Sequence, residues 1–253
     1  MCLLDMDDPS QTDLKHRFLR GGLPPFFLPE KHPERDFQEW MDAYWAKDIH
    51  ELFRLERRDS FQRFTELVMA QSGGIFEATQ FARTCEASRP TVANYLRVLE
   101  ATFVAHVVRP FSTRRPTEIV AAPKVYGFDT GFICYYRGWQ DLRDDDLGTL
   151  WEHFVLNEIM ARSQSREVFY WRDKRGHEVD FVIATHRKRP VAIECKWSAN
   201  NFDPTNLVAF RHQHPEGDNI VLAHDVERAF TRNYGDLGVR FDGLRSFADS
   251  ISS

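Results

Sequence analysis

The sequence lacks any run of eighteen apolar residues, which is the length that a membrane-spanning helix needs. A secretory leader is not expected either, because the opening Met1-Cys2-Leu3-Leu4 is followed at once by Asp5. The first absence argues against a transmembrane helix. Together the two absences predict a cytoplasmic protein that makes no membrane contact.

Cysteine is scarce and has no paired spacing. The four cysteines are Cys2, Cys85, Cys134 and Cys195, and they lie far apart along the chain. This scatter argues against a zinc module and against a disulfide framework. The sequence therefore predicts buried or incidental thiols.

A third absence is the phosphate-binding motif Gly-x-x-x-x-Gly-Lys-Ser/Thr, which occurs nowhere in the 253 residues. Without this loop the chain has no predicted site for a nucleotide cofactor. We therefore expect no ATPase activity from this chain itself.

The composition is that of an ordinary globular protein, with 42% apolar and 28% charged residues. A chain of 253 residues is long enough for two domains, each with its own core. The net charge of −5 does not suggest a protein that coats nucleic acid, but residues 83–124 hold seven basic and three acidic side chains. That positive segment is where the first functional motif lies.

The order of predicted elements indicates an α+β protein with three parts. Residues 1–50 are predicted as a linker and helical segment, 51–123 as a winged helix-turn-helix, and 124–253 as a mixed sheet flanked by helices. Leu14 to Pro29 is read as a Gly/Pro turn region, and Asp141 to Asp146 as a solvated acidic loop.

The helix-turn-helix prediction depends on residues 81–100. Ser88 is a good N-cap with Pro90 in the first turn of the second helix. Val92, Tyr95, Leu96 and Leu99 form an apolar stripe, while polar side chains at helical spacing face outward. The strands Phe103 to Phe111 and Glu118 to Val120 would form the wing. The predicted DNA contacts are Arg89, Thr91, Asn94 and Arg97 on the helix and Arg114 and Arg115 near the wing tip, although many winged helices bind proteins instead.

A second motif lies in two predicted strands, Glu178 to Ile183 and Val191 to Lys196. If they form a hairpin centred near Arg187, partners have numbers that sum to 374, so Asp180 lies opposite Glu194. One face then carries the charges. The other face is apolar and consists of Val179, Phe181, Ile183, Val191, Ile193 and Cys195. A slip of one residue would bury every charge, so this register is well specified.

Two carboxylates placed directly opposite each other lie about 5 Å apart and repel by about 3 kcal/mol at an effective dielectric of 20. Mg²⁺, or Mn²⁺ in its place, could offset this repulsion, because Mg²⁺ binds through one or two carboxylates plus water and phosphate. Lys196 could then orient an attacking water or neutralise charge on a phosphate. The alternative is an exposed hairpin face on which Glu178 and Lys196 form an ion pair.

The chain resembles a known family. The motifs Gly148 to Glu158, Tyr170-Trp171-Arg172, Glu178 to Val182 and Ala192 to Lys196 resemble the region called domain of unknown function 4143. The order of the Gly21-Gly22-Leu-Pro24 segment, the helix-turn-helix, and Asp129-Thr-Gly131 also agrees with it. The resemblance covers roughly residues 17–245.

The resemblance implies a winged helix followed by a restriction-endonuclease-like domain of the PD-(D/E)XK type. It implies that Asp180 and Glu194 bind the metal ion and that Lys196 and Glu152 are catalytic, with Glu158 as the alternative helix position. It also implies a preceding AAA-type ATPase domain. Because the phosphate-binding motif is absent, this chain would be a fragment, a truncated gene product, or a subunit that works with a separate ATPase.

The sequence therefore favours a Mg²⁺-dependent nuclease-like protein acting on DNA. The competing hypothesis is a catalytically inactive DNA-binding or regulatory module of an AAA-type ATPase.

Overall fold

A computed structural model describes residues 11–28, 34–49, 57–112, 122–163, 167–184 and 189–251. Its contacts divide the chain into two units, Met1–Val107 with Lys124–Arg143, and Val108–Pro123 with Asp144–Ser253. The predicted boundaries after residues 50 and 123 do not coincide with this division. Lys124–Arg143 groups with the first unit, whereas the prediction assigned it to the sheet domain.

The first unit is mainly helical, as predicted. Its helices are α1 (Gln11–Arg20), α2 (Pro24–Phe27), α3 (Glu34–Tyr44) with a π-helical turn at Trp45–Ile49, α4 (Arg58–Ala70), α5 (Ala78–Thr84), α6 (Arg89–Ala101) and α7 (Thr130–Arg137). Its strands are β1 (Gly74–Ile75), β3 (Lys124–Gly127) and the first residues of β2 (Ala105–Pro110).

Aromatic packing explains why distant segments share this unit. The Phe26 and Phe37 rings stack with centroids 4.5 Å apart, and the Phe132 ring meets Phe37 edge-on at 4.7 Å. All three rings are buried. Residues 11–28 and 34–49 are therefore part of a core rather than a linker, and the predicted turn region at Leu14 to Pro29 is largely helical.

The Gly21-Gly22 segment has a structural explanation. The buried carboxylate of Asp129 accepts hydrogen bonds from the backbone N–H of Gly22 at 2.7 Å and of Gly131 at 2.8 Å. Gly21 adopts a φ of +79°, and a Cβ at this position would overlap the Asp129 carboxylate. The Asp129 carboxylate thus links the glycine pair to the Asp129-Thr-Gly131 turn through backbone hydrogen bonds.

The helix-turn-helix is formed by α5 and α6. Val92, Tyr95, Leu96 and Leu99 are all buried, so the predicted apolar stripe of α6 is confirmed. The predicted N-cap is also confirmed, because the Ser88 hydroxyl accepts a hydrogen bond from the Thr91 N–H at 3.2 Å. The predicted wing strand Glu118 to Val120 lies outside the described residues.

Ser88→Ala is expected to lower the free energy of unfolding by about 1 kcal/mol, because the first turn of α6 loses its side-chain acceptor. Ser88→Thr keeps an acceptor oxygen and should lose clearly less stability. Urea unfolding of the two variants beside the wild type measures the difference. Equal loss in both variants, or no loss in either, would contradict this role of the cap.

The second unit is a mixed sheet flanked by helices, which confirms the predicted α+β class. Its strand order is β2-β4-β5-β6-β7-β9-β8, with β2–β4, β6–β7 and β7–β9 parallel and the other pairs antiparallel. Its elements are α8 (Asp144–Ser163), β4 (Val168–Arg172), β5 (Glu178–Ile183), β6 (Val191–Lys196), a 3-10 turn (Ala199–Asn201), α9 (Thr205–Gln213), β7 (Asn219–Ala223), β8 (Phe230–Tyr234), β9 (Leu237–Asp242) and α10 (Leu244–Ile251).

The sequence prediction agrees closely with the structure at β5 and β6, and it missed β8, β9, α7 and α10. The acidic loop is shorter than predicted, because Asp144, Asp145 and Asp146 form the first turn of α8. Carboxylates at this end of a helix are stabilised by the helix dipole. The charge run is therefore a helix start.

The scarcity of cysteine and the lack of long apolar runs can each be compared with the structure. Cys85, Cys134 and Cys195 are free and buried, which agrees with the prediction of buried thiols. Among the described helices, none is both long and apolar enough to cross a lipid bilayer.

Candidate metal and catalytic site

The β5–β6 hairpin has the predicted register. Phe181 pairs with Ile193, Val182 with Ala192 and Ile183 with Val191, so each pair of numbers sums to 374. Asp180 and Glu194 come next beyond these pairs, towards the end of the hairpin that contains Lys196. The alternation of the two sequences was thus sufficient to set the register.

A bulge in β5 lies beside the site. Phe169 pairs with Val182 and Trp171 with Val179, so β5 has two residues, Asp180 and Phe181, where β4 has one. The predicted strict alternation is therefore wrong at Val179, which packs in the same cluster as Val182 and Ala192. A bulge bends its strand and re-aims a side chain, and here Asp180 is one of the two residues in the bulge.

Lys196 contacts both predicted metal ligands. Its Nζ lies 2.7 Å from Glu194 Oε2 and 3.8 Å from Asp180 Oδ2. Although burial alone lowers the pKa of Lys196, attraction to Asp180 and Glu194 outweighs it and raises the pKa above its ordinary value. Lys196 is therefore a cation held between two carboxylates.

Glu194 is the most unusual residue of the site, because its side chain is 1% exposed. Burial, then repulsion from Asp180, raises the pKa of Glu194 to about 8, while Lys196 opposes this shift. One ammonium cannot compensate two carboxylates. Glu194 Oε1 is buried and has no hydrogen-bond partner among the described residues. Leaving a buried acceptor without a partner costs about 1–3 kcal/mol, and more if the group is charged.

The structure contradicts the alternative of an exposed hairpin face. Glu194 is buried, and Lys196 pairs with Glu194 rather than with Glu178. Glu178 instead lies 3.8 Å from Arg172 on the neighbouring strand. The solvent that this alternative needs around the charges is absent at Glu194.

Asp180 is held in place by the backbone. Its Oδ2 accepts a hydrogen bond from the Cys195 N–H at 2.8 Å, and its side chain is 16% exposed. This bond ties the bulged part of β5 to the end of β6. Asp180 therefore remains beside Glu194 and Lys196, and part of it is accessible.

Glu152 and Glu158 both lie on α8, six residues apart. At 3.6 residues per turn their directions lie about 120° apart around the helix, so they point to different sides of it. Repulsion from Glu152 contributes to the raised pKa of Glu194, which places Glu152 near the carboxylates. Glu158 is buried elsewhere on the helix. The geometry therefore favours Glu152 over Glu158.

An aromatic group that the sequence reading missed positions this end of α8. Trp151 Nε1 donates a hydrogen bond to the Leu222 carbonyl at 3.0 Å. The rings of Trp197 and His224 stack with centroids 4.0 Å apart, directly after the paired residues Lys196 and Ala223. The Trp151 ring lies edge-on 6.0 Å from each. The signals in the sequence were the tryptophans adjoining Glu152 and Lys196.

The carboxylate ligands are of the type that a magnesium or manganese ion prefers, but they are few. Among the described residues, no group of three or more His, Cys, Asp or Glu side chains is arranged to hold a metal. Asp180 and Glu194 supply two carboxylates, which is the number that Mg²⁺ commonly takes from protein. The unpartnered Glu194 oxygen is an acceptor that a cation would satisfy.

The predicted DNA-contacting residues of α6 lie in the first unit, at or near its surface. Arg89 and Arg97 are exposed, and Thr91 and Asn94 are half-buried. Asn94 Oδ1 accepts a hydrogen bond from Arg97 at 3.3 Å, and the Thr91 hydroxyl is 2.7 Å from that of Ser88. Arg114 and Arg115 lie outside the described residues.

The fold defines an α+β protein with a helical first unit and a mixed-sheet second unit. Residues 11–143 match the model of a family described as domain of unknown function DUF8612, and residues 147–236 match domain of unknown function DUF4143. The chain therefore belongs to the DUF8612 family and carries a DUF4143 region, which confirms the resemblance found in its motifs. The gap between the two matches coincides with the unit division after Arg143.

Two curated proteins are similar to most of the chain. The uncharacterized protein Mb2031c of Mycobacterium bovis and the uncharacterized protein Rv2008c of Mycobacterium tuberculosis are each 26% identical to it over 201 residues. The match covers 76% of this chain and 45% of each relative. The chain thus corresponds to about half the length of these relatives.

Proposed function

We propose that the second unit is a Mg²⁺-dependent, nuclease-like domain of the PD-(D/E)XK type that acts on DNA. The observation that carries the proposal is the buried Glu194, which shares the Lys196 ammonium with Asp180 and leaves one carboxylate oxygen without a partner. When both carboxylates are ionised, two anions around one cation leave an uncompensated negative charge. A divalent cation supplies the charge that this site lacks.

The chain's own groups have distinct roles in this proposal. Asp180 and Glu194 hold the metal ion, which when bound acts as a Lewis acid on a phosphodiester. Lys196 stays protonated, because its pKa is raised, so it orients the attacking water or neutralises phosphate charge rather than accepting a proton. Glu152, fixed by the anchored Trp151 beside it, supports the metal ligands from α8.

The proposal extends to two partners. DNA would also contact the surface of α6 through Arg89, Thr91, Asn94 and Arg97, with Arg114 and Arg115 as phosphate contacts of the wing. An AAA-type ATPase domain or subunit would supply ATP hydrolysis. This second partner is proposed only from the family resemblance of the motifs.

The test of the proposed function is metal-dependent cleavage by the wild-type protein. Plasmid and single-stranded DNA are incubated with Mg²⁺, with Mn²⁺ or with EDTA, and we expect cleavage in the first two only. Cleavage that persists in EDTA, or no cleavage under any condition, would overturn the nuclease assignment. The second outcome would favour the inactive DNA-binding or regulatory module.

Metal binding gives a second expected result that does not depend on turnover. Mn²⁺ at a hundred times its Kd should stabilise the wild type by about 2.7 kcal/mol and raise its melting temperature by several degrees. Asp180→Ala should show no such rise. A rise of equal size in both proteins would place the bound metal elsewhere.

A further inference from the structure

A broad groove lies on the second unit between α9, the end of β4 and the turn at residues 173–177. It has a volume of about 1010 Å³. Its basic lining residues are Arg172, Lys174, Arg175, His177, His212 and His214. Among the described residues that line it, Asp173 is the only acidic one. With the histidines neutral, the lining carries three positive charges and one negative charge.

The carboxylate of Asp173 is bonded within the turn itself. Asp173 Oδ1 accepts hydrogen bonds from the N–H groups of Arg175 at 2.8 Å and His177 at 3.0 Å, and Oδ2 lies 2.8 Å from His177 Nδ1. Gly176, with a φ of +92°, completes the turn. The Asp173 carboxylate thus makes its hydrogen bonds within the turn, while Lys174 and Arg175 at the tip of the turn are exposed.

Arg172 is only weakly neutralised. Its Nη1 lies 3.8 Å from Glu178 Oε2, and its side chain is 46% exposed. An ion pair with this separation and exposure contributes little and leaves the guanidinium able to bind another anion. Arg172 therefore adds a third cation to those at the tip of the turn.

The basic turn runs directly into the strand that carries Asp180. Gly176 precedes Asp180 by four residues, which is about 13 Å at about 3.3 Å per strand residue. A polyanion seated on the turn would therefore have its next charged groups close to the carboxylates and Lys196. Phosphate binding by Lys and Arg along one line is the electrostatic basis of nucleic-acid affinity.

We propose that this groove binds the phosphate backbone of a nucleic-acid strand and directs it to the site at Asp180, Glu194 and Lys196. The identity of the ligand as a nucleic acid rests on the proposed function. Lys174, Arg175 and Arg172 are the phosphate-binding residues, and none of them belongs to the metal and catalytic group. Contacts of this kind fix position and carry no base specificity.

The test is binding without turnover. Fluorescence anisotropy of labelled single-stranded and duplex 20-mers is measured in EDTA across a salt series. The protein carries Lys174→Ala with Arg175→Ala, or the matched control Arg189→Ala with Arg228→Ala, which removes two exposed cations outside the groove. Asp180→Asn is measured in parallel.

We expect the groove variant to lose roughly tenfold or more in affinity at 0.1 M salt and the control to bind like the wild type. Loss of two phosphate contacts should also make the salt dependence shallower by about 1.4 for a single strand or about 1.8 for a duplex. Asp180→Asn should bind DNA at least as tightly as the wild type. Urea midpoints should agree, because neither removed side chain holds the turn.

The outcomes separate the two proposals. Unchanged affinity and salt slope in the groove variant, or no binding by the wild type, would overturn the groove whatever happens to cleavage. Selective loss of binding by the groove variant would support the groove even if the wild type never cleaves DNA. Polyglutamate that competes as well as unlabelled DNA of equal charge would assign the groove to acidic peptides and overturn the proposal.

Discussion

Asp180→Asn and Lys196→Met are each expected to lower the rate of Mg²⁺-dependent DNA cleavage by roughly 10²- to 10⁴-fold, which corresponds to about 3–5 kcal/mol of transition-state stabilisation. Asparagine keeps the shape of Asp180 and an oxygen that can accept the Cys195 N–H, so the hairpin end should remain intact. Only the negative charge is removed. Initial rates on plasmid DNA at fixed Mg²⁺ measure the effect.

The two variants should differ in metal binding, which separates their roles. Asp180→Asn removes a ligand and should weaken the Mn²⁺-induced rise in melting temperature. Lys196→Met removes a cation that lies 2.7 Å from Glu194 and repels a metal ion, so it should keep or increase that rise. Asp203→Asn, at a surface carboxylate that accepts the Thr205 N–H, serves as the matched control. Wild-type cleavage rates in both site variants would rule out this assignment.

Glu194→Gln is expected to change the pH dependence of stability by several kcal/mol in the metal-free protein. Burial and Asp180 raise the pKa of Glu194 to about 8 in the folded state, above its ordinary value of 4.5. Between these values the folded protein binds more protons than the unfolded chain, so wild-type stability falls as pH rises. The slope approaches about 1.4 kcal/mol per pH unit, and glutamine removes it.

Urea unfolding in EDTA at several values between pH 5.5 and 8.5 measures this difference. Burial lowers the pKa of His214 and of His224, which gives an opposite slope below pH 6.5. This slope is common to both proteins and cancels in the comparison. Glu227→Gln, an exposed control, should follow the wild type. Parallel curves for wild type and Glu194→Gln would show that Glu194 does not titrate in this range.

Excess Mn²⁺ should remove most of this pH effect. A bound cation favours the charged form of Glu194, so the free energy of unfolding at pH 8 should rise more for the wild type than for Glu194→Gln. The two effects have one origin, a buried anion with too little positive charge around it.

Features set by local pattern could be predicted from the sequence. The Ser88 cap depends on residues within one turn of α6, and the β5–β6 register depends on an alternation in which a slip of one residue would bury charge. By contrast, the middle of β8, Thr231-Arg232-Asn233, is polar and exposed, so its strand pattern is weak. In β9, Leu237, Val239 and Phe241 do alternate with other residues, and the prediction overlooked that pattern. The placement of residues 124–143 depends on rings such as Phe132 that meet partners about a hundred residues away.

The sequence by itself determined that Asp180, Glu194 and Lys196 would meet at one end of a hairpin, because side-chain direction in a strand has a period of two. Only the tertiary structure decided how deeply these charged groups are buried. Glu194 is buried, β5 bulges at Asp180 where it pairs with β4, and the Trp151 anchor beside Glu152 comes from α8. Burial depends on everything that packs around a group, and no local pattern specifies it.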